Sequence, residues 1–139
     1  ARQTGVPILA HSWDYSDTNP AQKYSFPSKF ERYLREYPEV KLIFGHAGGR
    51  FDGHMATIAL GRGCSNAYVD LSGDSYGFRF IEWLTSKIPN DRILFGTDVT
   101  WVDPRTHFAR ILKADVSSTT KEMIFGKNAV EVFGIKLDG

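Results

Sequence analysis

A single cysteine, Cys64, stands in 139 residues, so no disulfide can form within the chain. That fits a reducing, cytoplasmic compartment. No apolar run approaches the length that spans a bilayer, and no signal-peptide pattern opens the sequence, so a membrane is not expected as a partner. Charge of one sign is also missing as a pattern. The formal net charge is +1 and lysine and arginine form no stripe, which argues against nucleic acid as a partner. No H-x-H pair occurs anywhere. Histidine itself is sparse, with four in the chain.

What is present is ordinary for a globular domain: 42% hydrophobic and 24% charged residues. The length suits one domain over residues 1–139, with room for a real core. Apolar runs recur, and each ends in a polar residue. Val40–Gly49, VKLIFGHAGG, reads as a buried strand running into His46 and a pair of glycines. Val6–His11, VPILAH, ends in histidine, and Arg92–Asp98, RILFGTD, ends in aspartate. Ala67–Asp70, AYVD, leads into Leu71-Ser72-Gly73. Strict alternation would place His46, Phe44 and Leu42 on one strand face and Ile43 and Gly45 on the other, with Leu9, Phe44 and Leu42 facing inward.

Helical spacing separates these runs. Ser28-Lys29-Phe30-Glu31 has the capping-box pattern before Phe30, Tyr33, Leu34 and Tyr37, and Pro38 stops that helix. Phe51, Met55, Ile58 and Ala59 predict a second helix, and Phe80, Ile81, Leu84 and Ile88 a third. Pro104 opens a fourth through Phe108, Ile111 and Leu112. Thr119–Glu122 and Asn128–Glu131 read as two short terminal caps. The order is βα repeated four times, which implies a parallel sheet with right-handed crossovers. Four such units make half of a (β/α)₈ barrel, four parallel strands alternating with helices. A flavodoxin-like sheet covered on both faces is the alternative that would close its own core. The polar strand ends favour the barrel, because His11, His46 and Asp98 converge only if the sheet curves toward a common centre.

Neutral imidazole and carboxylate together suit a divalent metal, Zn²⁺ first and Mn²⁺ second. A carboxylate or an unligated histidine beside metal-held water can take its proton. One histidine at a strand end is commonly a satisfied turn residue; three polar groups at matched ends point to a site. His54 and His107 fall on helical stretches and read as surface or supporting residues. Asp70 and Ser72-Gly73 suit either turn chemistry or substrate contact. Trp13 and Trp101 follow strand ends and could wall a substrate pocket, and Arg50 could hold a substrate carboxylate.

The motifs PILAHS, LIFGHAGGR, YVDLSG, RILFGTD and GKNAVEVFGI resemble the second half of the amidohydrolase-2 group of metal-dependent TIM-barrel hydrolases, which includes aminocarboxymuconate semialdehyde decarboxylase. The resemblance spans nearly the whole chain. It implies that these strands correspond to barrel strands five to eight. It makes His11 a metal ligand, Asp98 a ligand and proton acceptor, and His46 the residue that activates metal-held water. The implied reaction is hydrolysis of an amide, lactone or similar bond of a small molecule. Non-oxidative decarboxylation of an aromatic or unsaturated acid is the second possibility, and a non-catalytic half-barrel assembly module the third. The group's first strand carries a His-x-His ligand pair that this chain lacks, so the chain alone is expected to bind metal weakly. A half barrel exposes an apolar inner face and two strand edges, so the expected partner is the remaining half of the barrel or a second copy. Ala1 lies a few residues before a core strand, which favours an internal piece of a longer protein.

Overall fold

The computed structural model describes residues 1–136. Its centre is a parallel sheet of β1 (Ile8–Ala10), β2 (Leu42–Phe44), β3 (Ala67–Asp70) and β4 (Ile93–Leu94), in the spatial order β1-β2-β3-β4. Each strand pairs with the next in sequence, as Leu9 does with Ile43 and Phe44 with Val69. A flavodoxin-like sheet would instead place its second strand outside its first, so the sequential order decides between the two expected architectures.

Helices α1 (Glu31–Glu36), α2 (Phe51–Gly63), α3 (Phe80–Thr85) and α4 (Pro104–Lys113) alternate with the strands. A terminal helical segment follows, made of α5 (Ser118–Glu122), a wider π turn over Met123–Lys127, and α6 (Asn128–Phe133). The wide turn fuses the two terminal caps read from sequence into one run. Ser28 does not cap α1: a tight turn at Pro27–Phe30 leads into it, with no side-chain cap bond.

The core lies between the sheet and the helices. Phe44, Val69, Ile93, Ile111 and Ile124 are almost wholly buried there. Leu42 and Phe44 therefore point to the helix layer, and the inner face carries Leu9, Ile43 and Leu94 instead. Alternation counted back from His46 fails because regular strand geometry ends at Phe44. His46 has φ 60 and ψ 19, a left-handed turn that swings its ring to the inner side.

Helix α2 also presents a different face from the one its large residues suggest. Phe51 and Met55 are exposed, while Gly53, Thr57, Ile58 and Leu60 are buried. Gly53 and Gly48 explain this, since a Cβ on either would collide with the backbone of the other. The helix start lies directly on the loop after β2, and only small residues fit at the contact.

The two sheet edges differ. At β4 the terminal segment supplies partners: Phe95 N–H donates to Ile124 O at 2.9 Å, and the Asn128 amide donates to Ile93 O at 2.8 Å. The expected exposed edge is therefore covered on this side. At β1 the edge is open, with Val6 58%, Ile8 44% and Leu9 63% exposed. Helix α6 sets Val132 against Ile43 and Leu94 on the inner face, and its last carbonyls, Glu131 O and Val132 O, accept from Lys41 Nζ. The accessible surface is 8353 Å². A closed monomer of this mass exposes about 7,300 Å², so roughly 1,000 Å² is left uncovered.

Candidate active site

Parallel strands leave their carboxyl ends together, and here those ends open on a cavity of about 500 Å³. His11, His46, Asp70, Ser72 and Asp98 line its polar part; Leu9, Ile43, Leu94 and Phe133 line its apolar part.

His46 is the most heavily fixed of these groups. It begins a run of positive φ angles from His46 to Gly49, which glycine tolerates and histidine and alanine do not adopt without support. The loop after β3 supplies that support. Asp70 Oδ1 accepts the His46 backbone N–H at 3.0 Å, and Ser75 Oγ donates to His46 O at 3.0 Å. Ser72 Oγ lies 3.0 Å from His46 Nδ1 and donates its own hydrogen to Asp70 Oδ1 at 2.5 Å. Asp70, Ser72 and Ser75 are all buried. Gly73, at φ +75, lets this loop lie against the imidazole, where a Cβ would run into Nδ1.

Arg110 of α4 pins the same loop. Its guanidinium donates to Ser75 O at 2.8 Å and to Leu71 O, and lies over the Tyr76 ring. Burial lowers its affinity for a proton, yet it keeps the charge, since guanidinium titrates far above neutrality.

His11 follows β1. Its Nδ1 lies 3.0 Å from His46 Nε2, and its Nε2 lies 3.0 Å from the side-chain amide of Gln22. Gln22 sits in a short helical turn, Pro20–Tyr24, that Asn19 caps within the long loop after β1. Ser12 Oγ ties the β1 exit to the β2 exit by donating to Gly45 O at 2.5 Å. Trp13 stacks parallel to the His11 ring at 6.2 Å and meets the His46 ring edge-on at 5.4 Å. It thus backs the two histidines, and a Cβ on Gly49 would strike its indole at 2.5 Å.

Asp98 shares the cavity but lies beyond the short β4, at φ 60, and is exposed. Among the described residues no three His, Cys, Asp or Glu side chains are grouped to hold a metal ion. His11 and Asp98 therefore form part of a ligand set at most, and a metal does not fit this chain's residues alone. Arg50 lies in a neighbouring cleft with Phe51, His54, Asp74 and Tyr76, outside the cavity of His46. Trp101 is 82% exposed and lines neither space. His54 Nδ1–H donates to Ala47 O, 2.7 Å away, and burial pushes the ring below the ordinary histidine pKa. His107 is fully buried on α4, not a surface residue.

Sequence reading left Asp70 and Ser72 ambiguous, and it missed Gln22, Ser75 and Arg110. Asp70 and Ser72 had one signal, the D-x-S spacing at a strand exit, which allows an aspartate to accept from the backbone and hydroxyl two residues on. Arg110 had none, because its partners are distant carbonyls.

A sequentially ordered parallel sheet whose polar groups gather at the strand carboxyl ends is the layout of a (β/α)₈ barrel, and this chain is half of one. The chain belongs to the amidohydrolase family Amidohydro_2, whose family model matches residues 1–135. No curated protein matches it significantly. Among solved structures, a TIM-barrel protein from Bordetella bronchiseptica aligns at TM-score 0.76 and 18% identity, covering 96% of this chain and 47% of that one. Amidohydrolase 2 from Bifidobacterium longum subsp. infantis aligns at TM-score 0.72 and 19% identity, covering 97% and 52%. A dihydroxybenzoic acid decarboxylase from Polaromonas, with bound manganese and the inhibitor 2-nitroresorcinol, aligns at TM-score 0.67 and 17% identity, covering 96% and 51%. The chain thus spans about half the length of each of these three structures. Among the described residues no helix is long and apolar enough to cross a membrane.

Proposed function

We propose that the chain is the C-terminal half of a metal-dependent amidohydrolase barrel, hydrolysing an amide, lactone or similar bond of a small molecule. The observation that supports this reading best is the fixed His46 ring beside His11 in a cavity shared with Asp98. In this reading His11, turning from its bonds to His46 and Gln22, and Asp98 would be two of the residues that hold a divalent metal, Zn²⁺ or Mn²⁺, and the rest of the barrel would supply the other ligands. A metal held there would supply Lewis-acid polarisation of a carbonyl or of water. His46 and Asp98 hold and move the protons: one accepts a proton from the attacking water, and the leaving group receives one back. Trp13 positions the two histidines. Arg50 and Trp101 would reach substrate only through parts of the barrel supplied by the other half.

The Polaromonas neighbour supports a second reading, non-oxidative decarboxylation of an aromatic or unsaturated acid. There the bond to the carboxylate breaks, its electron pair stays on the ring carbon, and a proton is delivered to that carbon.

Product analysis on the reconstituted barrel separates the readings: a ring-opened or cleaved acid for hydrolysis, carbon dioxide for decarboxylation. His46→Asn and Asp98→Asn should each lower turnover by about 10²–10⁴-fold. Unchanged turnover in both would sink the catalytic reading in favour of a non-catalytic assembly module. Elemental analysis of the 139-residue chain alone should find little bound metal, and a tightly held stoichiometric metal would overturn the incomplete ligand set.

A further inference from the structure

We infer that Ser72, held by Asp70, is a positioning residue that fixes His46 in the tautomer with hydrogen on Nδ1, leaving the Nε2 lone pair directed at His11 Nδ1. The assignment follows from counting hydrogens. An ionised carboxylate only accepts, and Asp70 Oδ1 takes the Ser72 hydroxyl hydrogen at 2.5 Å as well as the backbone N–H groups of His46 and Ser72. A serine hydroxyl has one hydrogen. With that hydrogen committed to Asp70, Ser72 Oγ can only accept at its 3.0 Å contact with His46 Nδ1. The hydrogen in that contact must come from the ring. A neutral His46 then has a bare Nε2, and the 3.0 Å contact to His11 must be donated by His11 Nδ1–H.

The direction continues consistently to the far end. His11 Nε2 is left as an acceptor 3.0 Å from Gln22 Oε1, so the inference requires the Gln22 amide flipped, with its NH₂ in place of Oε1. Ser25 Oγ, within 2.7 Å of the same amide, can then donate to Gln22 O, 3.1 Å away. Every hydrogen from Gln22 to Asp70 has one place, and all point toward the carboxylate.

The cradle is built for this. Asp70 and Ser72 are buried, and Asp70 Oδ1 takes three hydrogens from the loops it holds. Arg110 ties down the carbonyls on both sides of Ser72, those of Leu71 and Ser75. In water the free histidine side chain prefers the opposite tautomer, so the cradle selects against the intrinsic preference. The orienting partner on one ring nitrogen sets the state of the other. The catalytic consequence rests on reading His46 as a base; the tautomer does not.

The test is long-range ¹H–¹⁵N correlation of histidine-labelled protein at alkaline pH, where the rings are neutral. The unsubstituted protein should show His46 with a protonated Nδ1 and an unprotonated Nε2. Ser72→Ala should lose or invert that pattern, and Ser72→Thr, which keeps the hydroxyl, should retain it. An unsubstituted His46 carrying its hydrogen on Nε2 would overturn the inference, even if Ser72→Ala failed to fold. A folded Ser72→Ala with an unchanged pattern would overturn it equally. The spectrum is read without substrate or metal, so absent hydrolase and decarboxylase activity would remove the functional reading and leave the tautomer standing.

Discussion

The two edges of the sheet solve the same problem differently. Beside β4, the outward backbone groups of Ile93 and Phe95 are bonded to Asn128 and Ile124, and Ile93 and Ile124 are fully buried. Beside β1, Val6, Ile8 and Leu9 stand open. An open edge with an apolar flank is a template for another strand, and β1 is the edge this chain leaves unpaired.

The sharpest way to break this contrast is to truncate one side chain on each side. Ile124→Ala removes a fully buried group from the covered edge and should cost about 2–5 kcal/mol. Leu9→Ala, on the open side, should stay within about 0.5 kcal/mol in the chain alone. Urea unfolding of the two variants reads the difference, and equal costs would mean that β1 is as well packed as β4. Arg110→Met comes next. It leaves the carbonyls of Leu71 and Ser75 without their donor and should cost about 2–4 kcal/mol, since charged hydrogen bonds to buried groups are among the stronger ones. A stability change near zero would show that water replaces the guanidinium there.

Much of this molecule was legible because β/α alternation is written in runs of apolar residues. The half-barrel order, the strand positions and the placement of His11, His46 and Asp98 at strand exits all come from that signal. Inner and outer faces did not follow. Counting by twos assumes an extended chain, and the left-handed turn at His46 reverses the parity, so Ile43 rather than Phe44 faces inward. Phe51 and Met55 misled for a different reason: the Gly48–Gly53 approach decides which face of α2 is buried, and glycine carries no hydrophobic signal. The supporting network around His46 was largely hidden, since Gln22, Ser75 and Arg110 act through contacts far apart in sequence.

Backbone exchange sharpens the comparison further. Ile8 N–H donates to Lys41 O at 2.9 Å, so the alternating geometry turns the Leu9 N–H toward the open edge. In the chain alone that amide should exchange like an unprotected one. Addition of the complementary barrel half should slow it by roughly tenfold or more, whereas the Phe95 amide, already bonded to Ile124, should change little. Slow exchange at Leu9 without any partner would indicate self-association through this edge, the arrangement with a second copy.

The smallest effect is a pH dependence, to which His107 on the covered side contributes. His107 is fully buried on α4, with Tyr76 Oη 3.3 Å from its Nε2 and no hydrogen-bond partner for its Nδ1 among the described residues. Burial, reinforced by the nearby positive charge of Arg110, lowers its pKa below the ordinary histidine value of 6.5; the Leu71 backbone and the charges of Asp70 and Asp98 oppose this only in part. The folded state therefore binds a proton less readily than the unfolded chain. Between the lowered folded value and 6.5 the unfolded chain carries more protons, so stability rises with pH there and is lost as pH falls through that window. His54 shifts the same way, chiefly from burial, and adds to the slope. Replacing His107 with glutamine removes the titrating group while keeping a polar side chain of similar reach. The variant should unfold at a urea midpoint that varies less between pH 7 and pH 5 than the parent's. An identical pH slope in the two proteins would assign the acid sensitivity to other groups.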